Sequence, residues 1–171
     1  MSMHGNTDAA SDDAPQLSDA MSPELAELMS GSCYCLATRR ASRRMIRIYD
    51  AELAALGLTI SQLATLAWVK ALRKPTVQRI ADLMEMDQSA LSRGLMPLER
   101  AEMITSAPDP DDKRRRLLGL TAAGEAALEQ GAVAWARAQR RIEAEQSAPE
   151  GELAALFTRI NALAQAGRAD E

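Results

Sequence analysis

Between Thr59 and Leu120 helix-starting residues and short apolar runs follow one another in an order that few folds accommodate. Thr59 with Gln62 forms a capping box, and Leu58 is placed to staple onto Leu63. That helix carries Leu66 and Val69 and stops before Pro75, because the residue before a proline avoids helical geometry. Thr76 caps a short helix with Val77, Ile80, Ala81, Leu83 and Met84. Asp87 caps the next, with Met86 placed to staple onto Leu91. Three or four residues near Glu85 to Asp87 separate these two helices, which is helix-turn-helix spacing. After Ala101 the period changes. "MITSA" reads as a strand, "PDPDDK" as a turn, and "RRLLGL" as a returning strand. A helix-turn-helix followed at once by a hairpin is a winged helix, and the basic turn is its wing.

Long helical patterns flank this unit. From Pro23, apolar residues from Leu25 to Leu56 recur mostly at three- and four-residue steps, with a break expected near Gly31 and a stop at Gly57. Thr121 caps a helix running through Leu128, Val133, Trp135 and Ile142. Ser147 and Glu150 form a second capping box around Pro149, ahead of a last helix carrying Leu153, Leu156, Phe157, Ile160 and Leu163. Residues 1–22 are polar and without apolar period, and read as a disordered acidic tail. The expected organisation is therefore 1–22 tail, 23–57 helical, 58–120 winged helix-turn-helix, and 121–171 helical. The fold class is mainly α with a small β-hairpin wing.

Charge is uneven. The formal net charge is −4, yet residues 39–79 hold nine bases against two acids. An acidic mean therefore does not exclude a local basic surface for nucleic acid. No apolar run reaches the length of a membrane span, and Asp8, Asp12 and Asp13 stand where a signal peptide would be basic and then apolar. A cytoplasmic protein without a membrane partner is expected. His4 is the single histidine, and Cys33 and Cys35 are one residue apart, too few and too close for a disulfide framework. Neither a catalytic triad, a metal site nor a cofactor is expected, and the chain reads as a non-enzyme.

The helix after Asp87 is amphipathic. At about 100° per residue, Leu91, Leu95 and Leu98 fall in one narrow sector. Ser89, Ser92, Arg93, Met96 and Arg100 fall opposite. Short hydroxyls let a helix enter a major groove, and an arginine there pairs with guanine or clamps a phosphate. Gln88 lies at the helix N-terminus, where free N–H groups also favour a phosphate. Pro97, inside this helix, is expected to kink it or leave the Arg93 carbonyl to water. In the wing, Asp112 and Arg114 are two apart and would share one face of an extended strand. Asp112 is expected to orient Arg114 into a narrow minor groove, with Lys113, Arg115 and Arg116 on phosphates or against the strand. The plainer readings are a solvated helix face and a solubilising turn; the order of elements favours the DNA-binding one.

At these residues the chain resembles the MarR family of winged-helix bacterial transcriptional regulators. The resemblance extends over most of the chain from about residue 30. It is strongest over "TVQRIADLMEMDQSALSRGLMPLERAEMI" and "DPDDKRRRLLGLTAAGEAAL". Asp109, Pro110, Asp112 and Arg114, then Leu120, Thr121 and Gly124, carry its specific pattern. Where members often have glycine after the recognition helix, this chain has Ala101 and Glu102. The resemblance implies a homodimeric repressor whose first and last helices intertwine with those of its partner, so that the 23–57 and 121–171 regions serve dimerisation. It also implies double-stranded DNA with a pseudo-palindromic operator as partner, major-groove contacts by Ser89, Ser92 and Arg93, a minor-groove contact by Arg114, and release by a small molecule or by thiol oxidation.

"SCYCLATRRASR" suggests where a signal could enter. On a helix, Cys33 and Cys35 would point about 200° apart, so they could not easily bond each other or chelate one ion. Arg39 and Arg43, with the nearby Arg40, could lower a thiol pKa, or line a pocket for an anionic effector. Three readings stand beside each other for the cysteines: core packing, redox sensing and soft-metal sensing. Two alternatives to a DNA-binding regulator are also carried: a thiol-redox protein using Cys33 and Cys35, and a winged helix that binds protein.

Overall fold

The computed structural model describes Glu27, residues 31–145, Pro149 and residues 151–166. The expected N-terminal tail and the Ser147/Glu150 capping box lie outside them. The chain divides between Arg40 and Ala41 into two units, described separately.

In the first unit Gly31 and Ser32 are helical, Cys33 is not, and helix α1 (Tyr34–Leu53) begins immediately after. The break expected near Gly31 falls at Cys33, two residues on. Its carbonyl accepts the first bond of α1 from the Ala37 N–H at 2.9 Å, which gives Cys33 the position of an N-cap.

The second unit carries the winged helix. A 3₁₀ turn (Ala54–Leu56) follows α1 and is closed by Gly57 at φ 66°, where a left-handed residue is needed. Helix α2 (Ile60–Leu72) starts with both halves of the Thr59/Gln62 capping box in place. Arg73 (φ 49°) and Lys74 (φ 69°) end it in the left-handed region, so the stop precedes Pro75 by two residues. Helix α3 (Val77–Leu83) is capped by Thr76, whose hydroxyl accepts from the Arg79 N–H at 3.1 Å. Residues 84–87 make the turn to α4 (Gln88–Arg100). Asp87 holds the N-cap position with extended backbone but makes no side-chain cap bond, so that expected contact is absent. The helix runs through Pro97 to Arg100.

Strands β1 (Ile104–Pro108) and β2 (Arg116–Leu120) pair antiparallel, Ile104 opposite Leu120 and Pro108 opposite Arg116. Thr76 bridges to Leu117, and the Leu118 N–H donates to the Pro75 carbonyl at 2.9 Å, so the wing is tied to the start of α3. Glu102 joins α4 to β1 at φ 53°, the conformation that glycine would take more readily. Thr121 accepts from the Gly124 N–H and donates to the Glu102 carbonyl, opening helix α5 (Ala122–Glu145). Helix α6 (Glu152–Ala166) follows.

One core holds these elements together. Leu53, Leu58, Leu63, Leu66 and Val69 meet Ile80, Leu91, Leu95 and Leu98, then Ile104, Leu118 and Ala134. Each fully buried leucine or isoleucine contributes about 1.5–3 kcal/mol relative to exposure. The stripe of α4 is therefore committed inward, which turns its opposite face to solvent. Among the described residues no single helix is long and apolar enough to cross a membrane.

Candidate nucleic-acid interface

The exposed face of α4 comes from its register alone. Leu91, Leu95 and Leu98 are buried, whereas Gln88, Ser89, Ser92, Arg93, Met96 and Arg100 are exposed. Ser92 donates to the Gln88 carbonyl at 2.8 Å, which folds its hydroxyl onto the helix and keeps the surface there low. Arg100 turns back, its Nε donating to the Met96 carbonyl at 3.3 Å. Arg100 nevertheless stays exposed on the outward face where periodicity put it.

The wing explains why three aspartates precede four bases. Asp109 accepts through Oδ1 from the Asp111 N–H at 3.0 Å, and its own N–H donates to the Arg115 carbonyl at 3.0 Å. The Arg115 N–H in turn donates to the Asp112 carbonyl at 2.8 Å. These bonds close the turn without glycine. Asp112 then holds Arg114: Oδ1 accepts from the Arg114 backbone N–H and from its Nε, both at 3.1 Å, and Oδ2 accepts from Nη2 at 3.4 Å. Arg115 Nε lies 3.5 Å from the same Oδ2. The expected pairing is present, but its expected cause is not. Asp112 and Arg114 lie in the turn ahead of β2, so the backbone bond of the turn brings them together and not strand alternation. Bonds from the Arg114 side chain and backbone, with the Arg115 charge, hold the Asp112 carboxyl below the usual carboxylate range. A lowered pKa means that the pairing is complete above the ordinary aspartate range and is lost only as pH falls through the lowered value. Arg114 is 91 % exposed at its side chain despite this anchoring, so its guanidinium is both fixed and accessible.

Of the two places expected for Arg116, a phosphate or the strand, the structure shows the strand. Arg116 donates through Nε to Ser106 Oγ and through Nη2 to the Ser106 carbonyl, both at 2.7 Å. Ser106 faces Leu118, two residues along from Arg116, so the clamp is a diagonal cross-strand contact. Only the hairpin register reveals it. Lys113 is exposed at the tip.

The residues considered for sensing lie at and after the start of α1. Cys33 is half-buried and precedes α1, whereas Cys35 is exposed in its first turn, and both are free thiols. Cys33 is not helical, so the 200° separation expected of two helical cysteines does not describe them. Arg39 and Arg43 are exposed on α1. Among the described residues no group of three or more His, Cys, Asp or Glu is arranged to hold a metal ion.

Sequence reading did not find the recess of about 270 Å³ between α1, α5 and α6, lined by Met45, Tyr49, Gln139, Glu143 and Phe157 among others. The Tyr49 hydroxyl donates to Gln139 Oε1. Burial, then the Glu143 carboxylate, raises the Tyr49 pKa above the ordinary phenol value. An ultraviolet pH titration is expected to show a late-ionising tyrosine that Tyr49→Phe removes. Ionisation at the ordinary phenol value would contradict the buried contact. By linkage, the stability that this neutral phenol contributes is present below the unfolded-state pKa and declines as pH rises through the raised one.

A helix-turn-helix whose exposed helix stands beside a hairpin with an anchored arginine defines a winged-helix protein. Residues 58–115 match the model of the MarR family. The structure superposes on the M. tuberculosis transcriptional regulator MosR, solved in complex with DNA, at 29 % identity and TM-score 0.68, covering 81 % of this chain and 98 % of that one. The winged-helix segment of this chain, residues 58–115, is thus similar to the MarR family. Two further structures share the fold. Streptomyces coelicolor PcaV, solved with its natural ligand, matches at 22 % identity and TM-score 0.69, over 81 % of this chain and 96 % of that one. S. aureus MepR, solved with DNA, matches at 24 % and 0.66, over 78 % and 97 %. A comparison with curated proteins finds no significant sequence match.

Proposed function

We propose that this protein is a homodimeric transcriptional repressor that grips a pseudo-palindromic operator in double-stranded DNA and releases it when a small ligand binds or a thiol is oxidised. The observation that carries the reading is the Asp112–Arg114 pair, an exposed guanidinium held by a carboxylate on a wing fastened to the start of the helix-turn-helix. Ordering such a side chain in advance removes an entropy cost that binding would otherwise meet. MosR and MepR were solved with DNA and PcaV with a ligand, which supports both halves of the reading.

In this reading Gln88 meets a phosphate at the N-terminus of α4, and Ser89, Ser92 and Arg93 line the major groove. Arg114 enters the minor groove, while Lys113 and Arg115 meet phosphates. Residues 23–57 and 121–171 make the dimer, and the protein works in the cytoplasm beside its operator. Two recognition helices of a dimer must stand about 34 Å apart, one turn of DNA. An effector acts by changing that spacing, and a differential affinity of about 1–3 kcal/mol is enough.

The test is fluorescence anisotropy on the DNA flanking the protein's own gene, across a salt titration. Sequence-specific binding with a steep salt dependence, weakened at least tenfold (about 1.4 kcal/mol) in Arg93→Ala, is the expected result. Binding no tighter than to random DNA, with a protein partner retained by both Arg93→Ala and Arg114→Ala, would replace this reading with that of a winged helix that binds protein.

A further inference from the structure

Met96 is 52 % exposed on α4 although its neighbours Leu95 and Leu98 are buried. A single exposed apolar side chain needs no explanation on most surfaces. This one lies on the midline of the face assigned to DNA. With Ser89 at zero and about 100° per residue, Arg93 falls near +40°, Met96 near −20° and Arg100 near +20°. Arg100 is exposed beside it with its Nε on the Met96 carbonyl, so past Arg93 the apolar group projecting along the stripe is the Met96 thioether chain.

Such a side chain offers a base edge no hydrogen-bond donor and only a weak sulfur acceptor, so its readout is by apolar contact. In the major groove the apolar feature of an unmodified base is the C5-methyl of thymine. Met96 is also long and unbranched, so it reaches beyond the short Ser89 and Ser92 that let the helix approach. We infer that Met96 is a specificity-determining residue that packs on the C5-methyl of one thymine in each operator half-site. The inference rests on the DNA-binding reading above and adds to it a base identity.

The experiment selects duplexes from a random library with the full-length wild type, Met96→Ala and Met96→Leu. Wild type and Met96→Leu are expected to enrich thymine at one position per half-site, and Met96→Ala to lose that preference while keeping the rest of the site. In the wild-type operator, replacing that thymine by deoxyuridine removes only the methyl group. The expected loss is about threefold for one half-site and roughly tenfold for both, the size of one buried methyl per half-site. Met96→Ala is expected to bind both DNAs equally. An operator with no Met96-dependent thymine, or an equal methyl effect in wild type and Met96→Ala, overturns the inference and leaves the DNA-binding reading intact. Enrichment of no sequence by any of the three proteins overturns both.

Discussion

Gly124→Ala is expected to lower the stability of the folded protein by about 3 kcal/mol. A Cβ at this position would lie 2.0 Å from the Met103 carbonyl oxygen and 2.9 Å from its carbon, with Leu120 Cδ2 at 3.3 Å. The obstacle is backbone, and that backbone is itself committed. The Met103 carbonyl accepts from the Thr121 N–H at 3.2 Å, and the Met103 N–H donates to the Leu98 carbonyl at 2.9 Å. Moving Met103 therefore disturbs the end of α4, the start of β1 and the cap of α5 together. Gly131 sets the contrast. Its Cβ would meet Leu63 Cδ1 at 2.3 Å, the free end of a flexible side chain, so Gly131→Ala is expected to cost less, about 1 kcal/mol. At Gly94 a Cβ meets nothing within 4 Å, and Gly94→Ala is expected to stabilise α4 by about 0.5–1 kcal/mol. Urea unfolding at one fixed protein concentration measures all three, since the stability of the proposed dimer would depend on concentration. Equal effects at Gly124 and Gly94 would contradict the packing described.

Arg114→Ala is expected to weaken operator binding by about tenfold to a hundredfold with unchanged unfolding behaviour. The side chain is exposed and its partner Asp112 lies in the same turn, so the core loses nothing. A base-edge contact in the minor groove changes specific affinity more than binding to random DNA. Lys113→Ala, at the proposed phosphate contact, should weaken both alike and lower the salt slope by about one. Asp112→Asn tests the anchoring separately. The amide keeps the shape but loses the charge that holds Arg114 and Arg115, so a smaller loss in the same direction is expected. Between about pH 6 and 8 the wing contribution should stay flat, because the Asp112 carboxyl, already held below its usual range, remains ionised there. An Arg114→Ala protein that binds its operator as tightly as wild type would remove the wing from the interface.

The winged helix was legible because its signals are local. Thr59 with Gln62 and Thr76 with Arg79 are hydrogen bonds across three residues, and both form as their spacing implies. The 3.6-residue period put Leu91, Leu95 and Leu98 inward and left Ser89, Ser92 and Arg93 outward, as the structure has them. The break expected near Gly31 falls two residues on, at Cys33, whose carbonyl starts the ladder of α1. Arg100 is outward as its angle implied, and its Nε also reaches the Met96 carbonyl one turn back, a contact that periodicity does not encode.

By itself, then, the chain determined the order of its elements, the buried stripe of α4 and the presence of a basic wing, all set by contacts within a turn or two of backbone. Only tertiary structure decided what contacts across long separations impose. Gly124 is required because Met103 passes beside it, the Arg116 clamp exists because hairpin register brings it to Ser106, and the recess around Tyr49 exists because α1, α5 and α6 converge on it. Local hydrogen bonds and periodicity are written at fixed spacings, whereas the distance between residues far apart in sequence is set by how whole elements pack.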